Sequence, residues 1–276
     1  EYAIAVVGLV KARPMKKGGE ETSEPADQIE IEVTELAVVG KPIEELPVDV
    51  SQPQMHLQLE TLLNYRTATL RNQKVQAIFS VYDALLESYE NCMRSEGFLE
   101  IKTPKILSSA TEGGANFFKI KYFDRDAYLA QSPQFYKQAG MSAFERVFEI
   151  GSVFRAEPHY TARHVNEYTG LDAEMGFIDS VEDVMAMLER TMVAMFTHIG
   201  EHVPLALAQY GASVPAAVPI PRIRLSEAIA ILEKEYGKQI EQEDIDAEGE
   251  RLIGEYAQKE YGSELVFLTH YPTSVR

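Results

Sequence analysis

The densest concentration of reactive side-chain types lies in one stretch, Phe148–Phe177, which reads FEIGSVFRAEPHYTARHVNEYTGLDAEMGF. An apolar run, a polar tip and a second strand-like run make it a hairpin. The tip holds Arg155, Glu157, His159, Arg163, His164 and Glu167. Hairpin tips are often charged simply because they meet water. Here Arg155 and Glu157 sit two apart at the end of an apolar strand, so both project from one face where a rigid sheet can aim them. A second cluster, Ala110-Thr111-Glu112-Gly113-Gly114-Ala115, places a carboxylate beside paired glycines, a loop free to swing as a lid or to serve as a plain turn. In a third, Gln131-Ser132-Pro133-Gln134-Phe135-Tyr136-Lys137, residues Gln134 and Lys137 are three apart and share a face of the helix expected after Pro133. An amide and an ammonium on one face can hold a carboxylate, although by spacing alone they also read as a solvated helix start.

The elements that must carry these groups follow from periodicity. Residues 1–50 read as β: Ile4, Val6, Gly8 and Val10 alternate with other apolar residues. Ile29, Ile31 and Val33 alternate with Glu30 and Glu32, the pattern of a half-buried strand. A Gly/Pro-marked loop from Arg13 to Glu21 separates them. Two or three strands bury no stable core alone, so this reads as the last part of a small β-barrel or sheet. Prolines in 41–56 mark a boundary, giving the division 1–50, a linker or hinge at 51–66, and a second domain at 67–276. In that second domain Val75, Ile78, Phe79, Tyr82, Leu85, Leu86 and Tyr89 recur at helical spacing until Gly97. Strands are expected at Phe98–Ile101, Phe117–Tyr122, Tyr128–Gln131, Arg146–Phe154, Tyr168–Phe177 and Leu265–Leu268. Helices are expected from Val181 to about Ile199, after a capping-box-like Ser180 and Asp183, and at Leu225–Tyr236 and Ala247–Tyr261. Strands clustered between helices indicate an α+β fold, an antiparallel sheet flanked by helices.

Composition narrows the function classes. The chain has 276 residues, with 45% hydrophobic and 25% charged, as expected of a globular protein. No run approaches the roughly 20 apolar residues of a membrane span, and no secretory or transit segment is visible. The single cysteine, Cys92, cannot form an internal disulfide. A cytoplasmic location is expected. The net charge of −17 argues against nucleic-acid binding through a broadly basic surface, so any such contact must rely on a few clustered cations. The first residue is Glu1, already near a strand, and the chain stops soon after an apolar run. A piece of a longer protein is expected.

In order and spacing, TEGGANFF, LAQSPQFYKQ, FEIGSVFRAE and RHVNEYTGLDAEM together resemble the catalytic domain of class II aminoacyl-tRNA synthetases, most closely the aspartyl-tRNA synthetases of archaeal and eukaryotic type. The resemblance runs from about residue 60 to the end. It implies that residues 1–50 are the last part of an OB-fold anticodon-binding domain. It further implies that Arg155 binds the α-phosphate of ATP and the attacking carboxylate, where a planar, permanently charged fork suits crowded negative charge. Glu157, beside Ala156, would accept from the adenine amino group. Arg163 and His164 would reach the outer phosphates or the ring, Val165 would line the pocket, and Tyr168 would stack on adenine. Glu112 and Asp172 would share the ammonium of aspartate, Gln134 would hydrogen-bond the amino acid, and Lys137 would pair with its side-chain carboxylate. The helix from Gln73 to Gly97 with Phe98–Pro104 resembles motif 1, which implies a homodimer.

The implied reaction forms aspartyl-adenylate from L-aspartate and ATP, with Mg²⁺, and then charges tRNA(Asp), with tRNA(Asn) as a second possible acceptor. In the family the Mg²⁺-binding carboxylates, a second arginine for the substrate side chain and the motif 3 arginine follow the position of Arg276. The segment by itself is therefore expected to form no adenylate at a useful rate. The alternatives are an asparaginyl-tRNA synthetase, a tRNA-independent amino-acid ligase on the same domain, and a non-catalytic RNA-binding or dimerising relative. Lys137 favours aspartate over asparagine.

Overall fold

The computed structural model describes residues 2–12, 29–109, 117–157, 165–216, 219–240 and 244–275. The chain divides into two compact units, Glu1–Val75 and Gln76–Arg276.

In the first unit, β1 (Ala3–Ala12) and β2 (Ile29–Gly40) form an antiparallel ribbon with irregular register between Ala3 and Ile4 and between Val7 and Gly8. Every residue of both strands is exposed, Val10 by 67% and Leu36 by 61%. The half-buried pattern expected for β2 is therefore not met. A two-stranded ribbon has nothing within it to cover either face. After it, Val48, Val50 and Ala68 make a small core with Leu46, Met55 and Leu57, next to the short helices α1 (Leu59–Asn64) and α2 (Arg66–Thr69). Buried Asn72 secures this turn by donating to the carbonyls of Val50 (3.2 Å) and Gln52 (2.7 Å).

The second unit is built on α3 (Gln73–Ser95), whose chain reverses at Gly97 in the left-handed region, φ 81°. Beyond it β3 (Leu99–Glu100), β7 (Arg146–Phe154) and β8 (Glu167–Met175) form one sheet in the order β3-β7-β8. The β7–β8 pair is antiparallel across its whole length, and β3 joins β7 in parallel. A second antiparallel sheet has the order β4-β6-β5, from β4 (Ile106–Leu107), β5 (Lys119–Tyr122) and β6 (Arg125–Leu129). The two sheets are tied through Ala130, whose N–H donates to the Lys105 carbonyl (3.0 Å) and whose carbonyl accepts from the Phe154 N–H (2.9 Å). The helix expected after Pro133 is α4 (Gln134–Phe144).

Alternation along β7 and β8 gives the sheet two different faces. Phe148 turns toward α3 and α5 (Val181–His202), meeting Tyr89, Met93, Phe98, Met187 and Met195 in the main core. Phe148 and Met93 are almost wholly buried, each side chain contributing roughly 1.5–3 kcal/mol. Ser180 caps α5 as its sequence suggests: its hydroxyl accepts from Glu182 N (3.2 Å), and Asp183 accepts from Ser180 N (3.0 Å). The opposite face carries the polar residues described below. Downstream, α6 (Pro204–Ala208) leads to a separate cluster in which Ile223, Leu225, Ala228, Leu232 and Ile253 pack together. It joins α7 (Leu225–Tyr236) and α8 (Ala247–Tyr261) to a parallel pair, β9 (Arg222–Arg224) with β10 (Phe267–Thr269). No helix among the described residues is long and apolar enough to cross a membrane.

Candidate active site

Residues of one parity share the polar face of the β7–β8 hairpin: Glu149, Gly151 and Val153 on β7, with Arg155 continuing past its end, and Tyr168, Gly170, Asp172 and Glu174 on β8. The register sets Val153 opposite Tyr168, Gly151 opposite Gly170, and Glu149 opposite Asp172. The ladder extends one step further, with Arg155 N donating to Asn166 O at 3.0 Å. The backbone then tightens, Glu157 N donating to Arg155 O at 2.8 Å. At this end the Arg155 guanidinium carbon lies 6.0 Å from the centroid of the Tyr168 ring, a cation–π contact. Arg155 and Glu157 are half-buried, and Tyr168 is 36% exposed.

The other end of the face is anionic and is met by α4. Lys137, only 5% exposed, donates to Asp172 Oδ1 at 2.9 Å and lies 3.6 Å from Glu174 Oε2. The solvated helix start that spacing alone allowed is thus replaced by a buried ion cluster. A buried ammonium needs such partners, because desolvating an unpaired charge costs several kcal/mol. Gln134 is half-buried one turn earlier on the same helix, its N–H 3.2 Å from the Ser132 hydroxyl that accepts it. Tyr168 and Asp172 are four residues apart on one strand, about 13 Å. Between them lies a floor with no side chains, Gly151 beside Gly170. A Cβ placed on Gly170 would lie 2.8 Å from Asp172 Oδ2.

A further carboxylate underlies the face. Glu149, 2% exposed, accepts from Thr103 N (2.9 Å) and Thr103 Oγ1 (2.7 Å), and its Oε2 lies 3.0 Å from Lys105 Nζ. Behind the sheet Tyr89 stands edge-on to Phe148 with centroids 5.9 Å apart. Burial first, and the Asp172 charge second, hold its phenol well above the usual range. A separate cleft of about 440 Å³ between α3 and α5 is lined by Cys92, Glu96, Arg190 and His198 among others. Burial pushes the Cys92 thiol up there.

The structure therefore brings together Arg155, Tyr168, Lys137 and Asp172 on one face, with Gln134 and Glu157 at its margins. Val165 is 52% exposed where the chain enters β8, and Ala156 is half-buried between Arg155 and Glu157. Glu112, Arg163 and His164 lie outside the described residues. Glu149, Glu174 and Lys105 are additions that the motifs did not single out. Strand alternation from Asp172 would have reached Glu174, and alternation back from Arg155 would have reached Glu149. Among the described residues no three His, Cys, Asp or Glu side chains converge as a metal site.

A cation over an aromatic ring at one end of a bare glycine floor, and a buried ammonium among carboxylates at the other, suit a nucleotide joined to a zwitterionic acid. Comparison with known proteins agrees with that class. The sequence profile of tRNA synthetases class II (D, K and N) matches residues 58–276. The aspartate–tRNA(Asp/Asn) ligase of Aeropyrum pernix is 44% identical over the whole chain, and the aspartate–tRNA(Asp) ligase of Pyrococcus abyssi is 41% identical. The solved asparaginyl-tRNA synthetase of Pyrococcus horikoshii, complexed with asparaginyl-adenylate, matches the whole chain and 60% of its own length, with a TM-score of 0.80 and 29% identity. The chain belongs to the class II tRNA synthetase family. It spans 61% of the length of either ligase.

Proposed function

We propose that the full-length protein is an aspartate–tRNA ligase. The α-carboxylate of L-aspartate attacks the α-phosphorus of ATP, pyrophosphate leaves, and the terminal ribose hydroxyl of tRNA(Asp) then attacks the activated carbonyl. The observation that carries this reading is the buried Lys137 ammonium held by Asp172 at 2.9 Å. A fixed cation beside a carboxylate can take up both ends of aspartate at once. The substrate side-chain carboxylate meets Lys137, and the substrate ammonium meets Asp172, with Glu112 as its second acceptor and Gln134 as a hydrogen-bonding neighbour. Asparagine offers Lys137 no counter-charge, so the buried cation, already shared by Asp172 and Glu174, gains nothing from it. A polar site left unmatched in this way can discriminate by roughly 10⁴.

At the other end, Arg155 neutralises the charge that gathers on the α-phosphate and the attacking oxygen. Tyr168 stacks on adenine, Glu157 accepts from its amino group, Val165 and the backbone at Ala156 line the pocket, and Arg163 and His164 meet the outer phosphates or the ring. Mg²⁺ accompanies the ATP in this reading, with no residue of this chain assigned to it. Residues 1–50 are read as part of an OB-fold anticodon-binding domain, 51–66 as a hinge and 67–276 as the catalytic domain. The cytoplasm is the proposed location.

Homodimerisation is proposed through α3 and the strand after it. The support is a set of exposed apolar residues there, Ile78 (53%), Phe79 (45%) and Tyr82 (46%) on α3 and Leu99 (45%) on β3. The test is ATP–pyrophosphate exchange by the full-length protein with aspartate, asparagine and lysine in turn, followed by charging of tRNA(Asp) and tRNA(Asn). Exchange with aspartate alone supports the reading. Exchange with asparagine but not aspartate overturns it.

A further inference from the structure

Glu149 faces Asp172 directly across the β7–β8 ladder, and two carboxylates in that relation repel. Each has its own cation, Lys137 for Asp172 and Lys105 for Glu149. The second cation stands close to the first anion. A Cβ on Gly151 would lie 3.1 Å from Lys105 Nζ, and a Cβ on the facing Gly170 would lie 2.8 Å from Asp172 Oδ2. Cross-strand partners are about 5 Å apart at Cβ, so the Lys105 ammonium and the open oxygen of Asp172 hang over adjacent squares of the same floor. On its own side the ammonium is paired with Glu149, at 3.0 Å. Thr103 fixes that carboxylate with two hydrogen bonds, of 2.9 and 2.7 Å, and Thr103 Oγ1 lies 3.2 Å from Lys105 Nζ.

We propose that Glu149 is a positioning residue for amino-acid binding, holding the Lys105 ammonium away from Asp172 so that this carboxylate stays open to the ammonium of the substrate. The inference rests on the aspartate-activating reading above. Lys105 keeps enough freedom to move, its side chain being 26% exposed against 3% for Glu149. A lysine stem is flexible, and its three donors reorient easily. With Glu149 neutral, the ammonium swings across Gly151 to Asp172 and competes with substrate. The role is therefore one of exclusion, and it is relieved by taking the lysine away.

The experiment is ATP–pyrophosphate exchange by the full-length protein carrying Glu149→Gln, Lys105→Met, or both. Glutamine removes the charge and keeps one of the two acceptor oxygens that Thr103 uses, the other being replaced by an NH2 donor. The expected result for Glu149→Gln is an aspartate KM raised roughly tenfold with the ATP KM within about twofold. The double variant is expected to return the aspartate KM to within about twofold of wild type. A purely structural clamp would instead raise both KM values or lower stability, and removing Lys105 would not repair it. An unchanged aspartate KM in Glu149→Gln, a parallel rise for ATP, or no recovery in the double variant overturns the inference. Should Glu149→Gln fail to fold, the electroneutral double variant decides alone: a near-wild-type aspartate KM supports the proposal and a raised one overturns it. Absence of aspartate-dependent exchange in the wild-type protein would be a failure of the aspartate reading, visible before any variant is made.

Discussion

Lys137 and Asp172 come from different elements, the first turn of α4 and the middle of β8, and meet at 2.9 Å with the lysine almost fully buried. The pair fixes how the helix sits on the sheet, and it also fixes the charge pattern that a ligand would meet. The positive end is sunk in the protein, and the remaining Asp172 oxygen lies over the glycine floor. A zwitterion with a side-chain acid is complementary to that pattern. A neutral side chain is not.

Replacing Lys137 by methionine is the direct probe. Met fills the space of the lysine stem but leaves Asp172 and Glu174, which share Lys137, with no cation between them. Breaking a buried pair in this way costs about 3–5 kcal/mol. In the full-length protein the expected outcome is a fall of about 10²- to 10³-fold in kcat/KM for aspartate in the exchange assay. The ATP KM should change little. Equal loss for both substrates would show that Lys137 serves only the packing of α4.

Tyr89 provides a test of the sheet's other face. Its hydroxyl is buried with no hydrogen-bond partner among the described residues. A buried, unsatisfied hydroxyl carries a desolvation cost that its removal relieves. Tyr89→Phe, which keeps the edge-on contact with Phe148, should leave the melting temperature unchanged or raise it. The pH dependence has a definite sign. Burial raises the folded-state phenol above its ordinary value of 10.0, so the stability it confers is complete below that value. It is lost as pH climbs from there toward the raised folded value. Thermal melts from pH 8 to about 11 should fall less steeply for Tyr89→Phe than for wild type.

Much of this fold is readable from local pattern. The bounds Arg146–Phe154, Leu225–Tyr236 and Ala247–Tyr261 coincide with elements of the structure, and the two helices among them are each closed by a strong stop, Gly237 and Gly262 in the left-handed region. The strand β9, only three residues long, escaped, and so did its parallel partnership with β10, since pairing across so much chain leaves no local trace. The site divides in the same way. Arg155, Gln134, Lys137 and Asp172 are legible as residue types within motifs. Lys105 is legible only through Glu149, which reads as one more charged residue until the register places it opposite Asp172.

Asp246 caps α8, accepting from Gly249 N at 2.8 Å and from Lys238 Nζ at 3.1 Å. These contacts, the backbone donor first, hold its carboxyl below the ordinary 3.8. A depressed carboxylate stabilises the fold above its unfolded pKa, and that contribution disappears as pH falls through the folded value. Asp246→Asn keeps an acceptor for the cap and removes the titration. The wild-type protein should therefore melt higher than Asp246→Asn at pH 6, and the gap should narrow as pH falls below 3.8. A gap of constant size across that range would show that the charge is irrelevant to the cap.

Gly170→Ala tests the floor itself. Gly170 lies in regular strand, where alanine is conformationally acceptable, so backbone strain does not enter. The added methyl would lie 2.8 Å from Asp172 Oδ2, closer than atoms tolerate, and 3.5 Å from a Val153 methyl. Val153 is buried and cannot move far. The Asp172 carboxylate must therefore rotate, and its other oxygen is the one bound to Lys137. The expected result is a folded protein, destabilised by about 1 kcal/mol, with an aspartate KM raised roughly tenfold while ATP binding is spared. Gly151→Ala presses on a different neighbour, since its methyl would lie 3.1 Å from Lys105 Nζ and 3.3 Å from Glu149 Oε1. If Gly170→Ala bound aspartate as tightly as wild type at an unchanged melting temperature, Asp172 would have room to spare. The bare floor would then have no part in seating the amino acid.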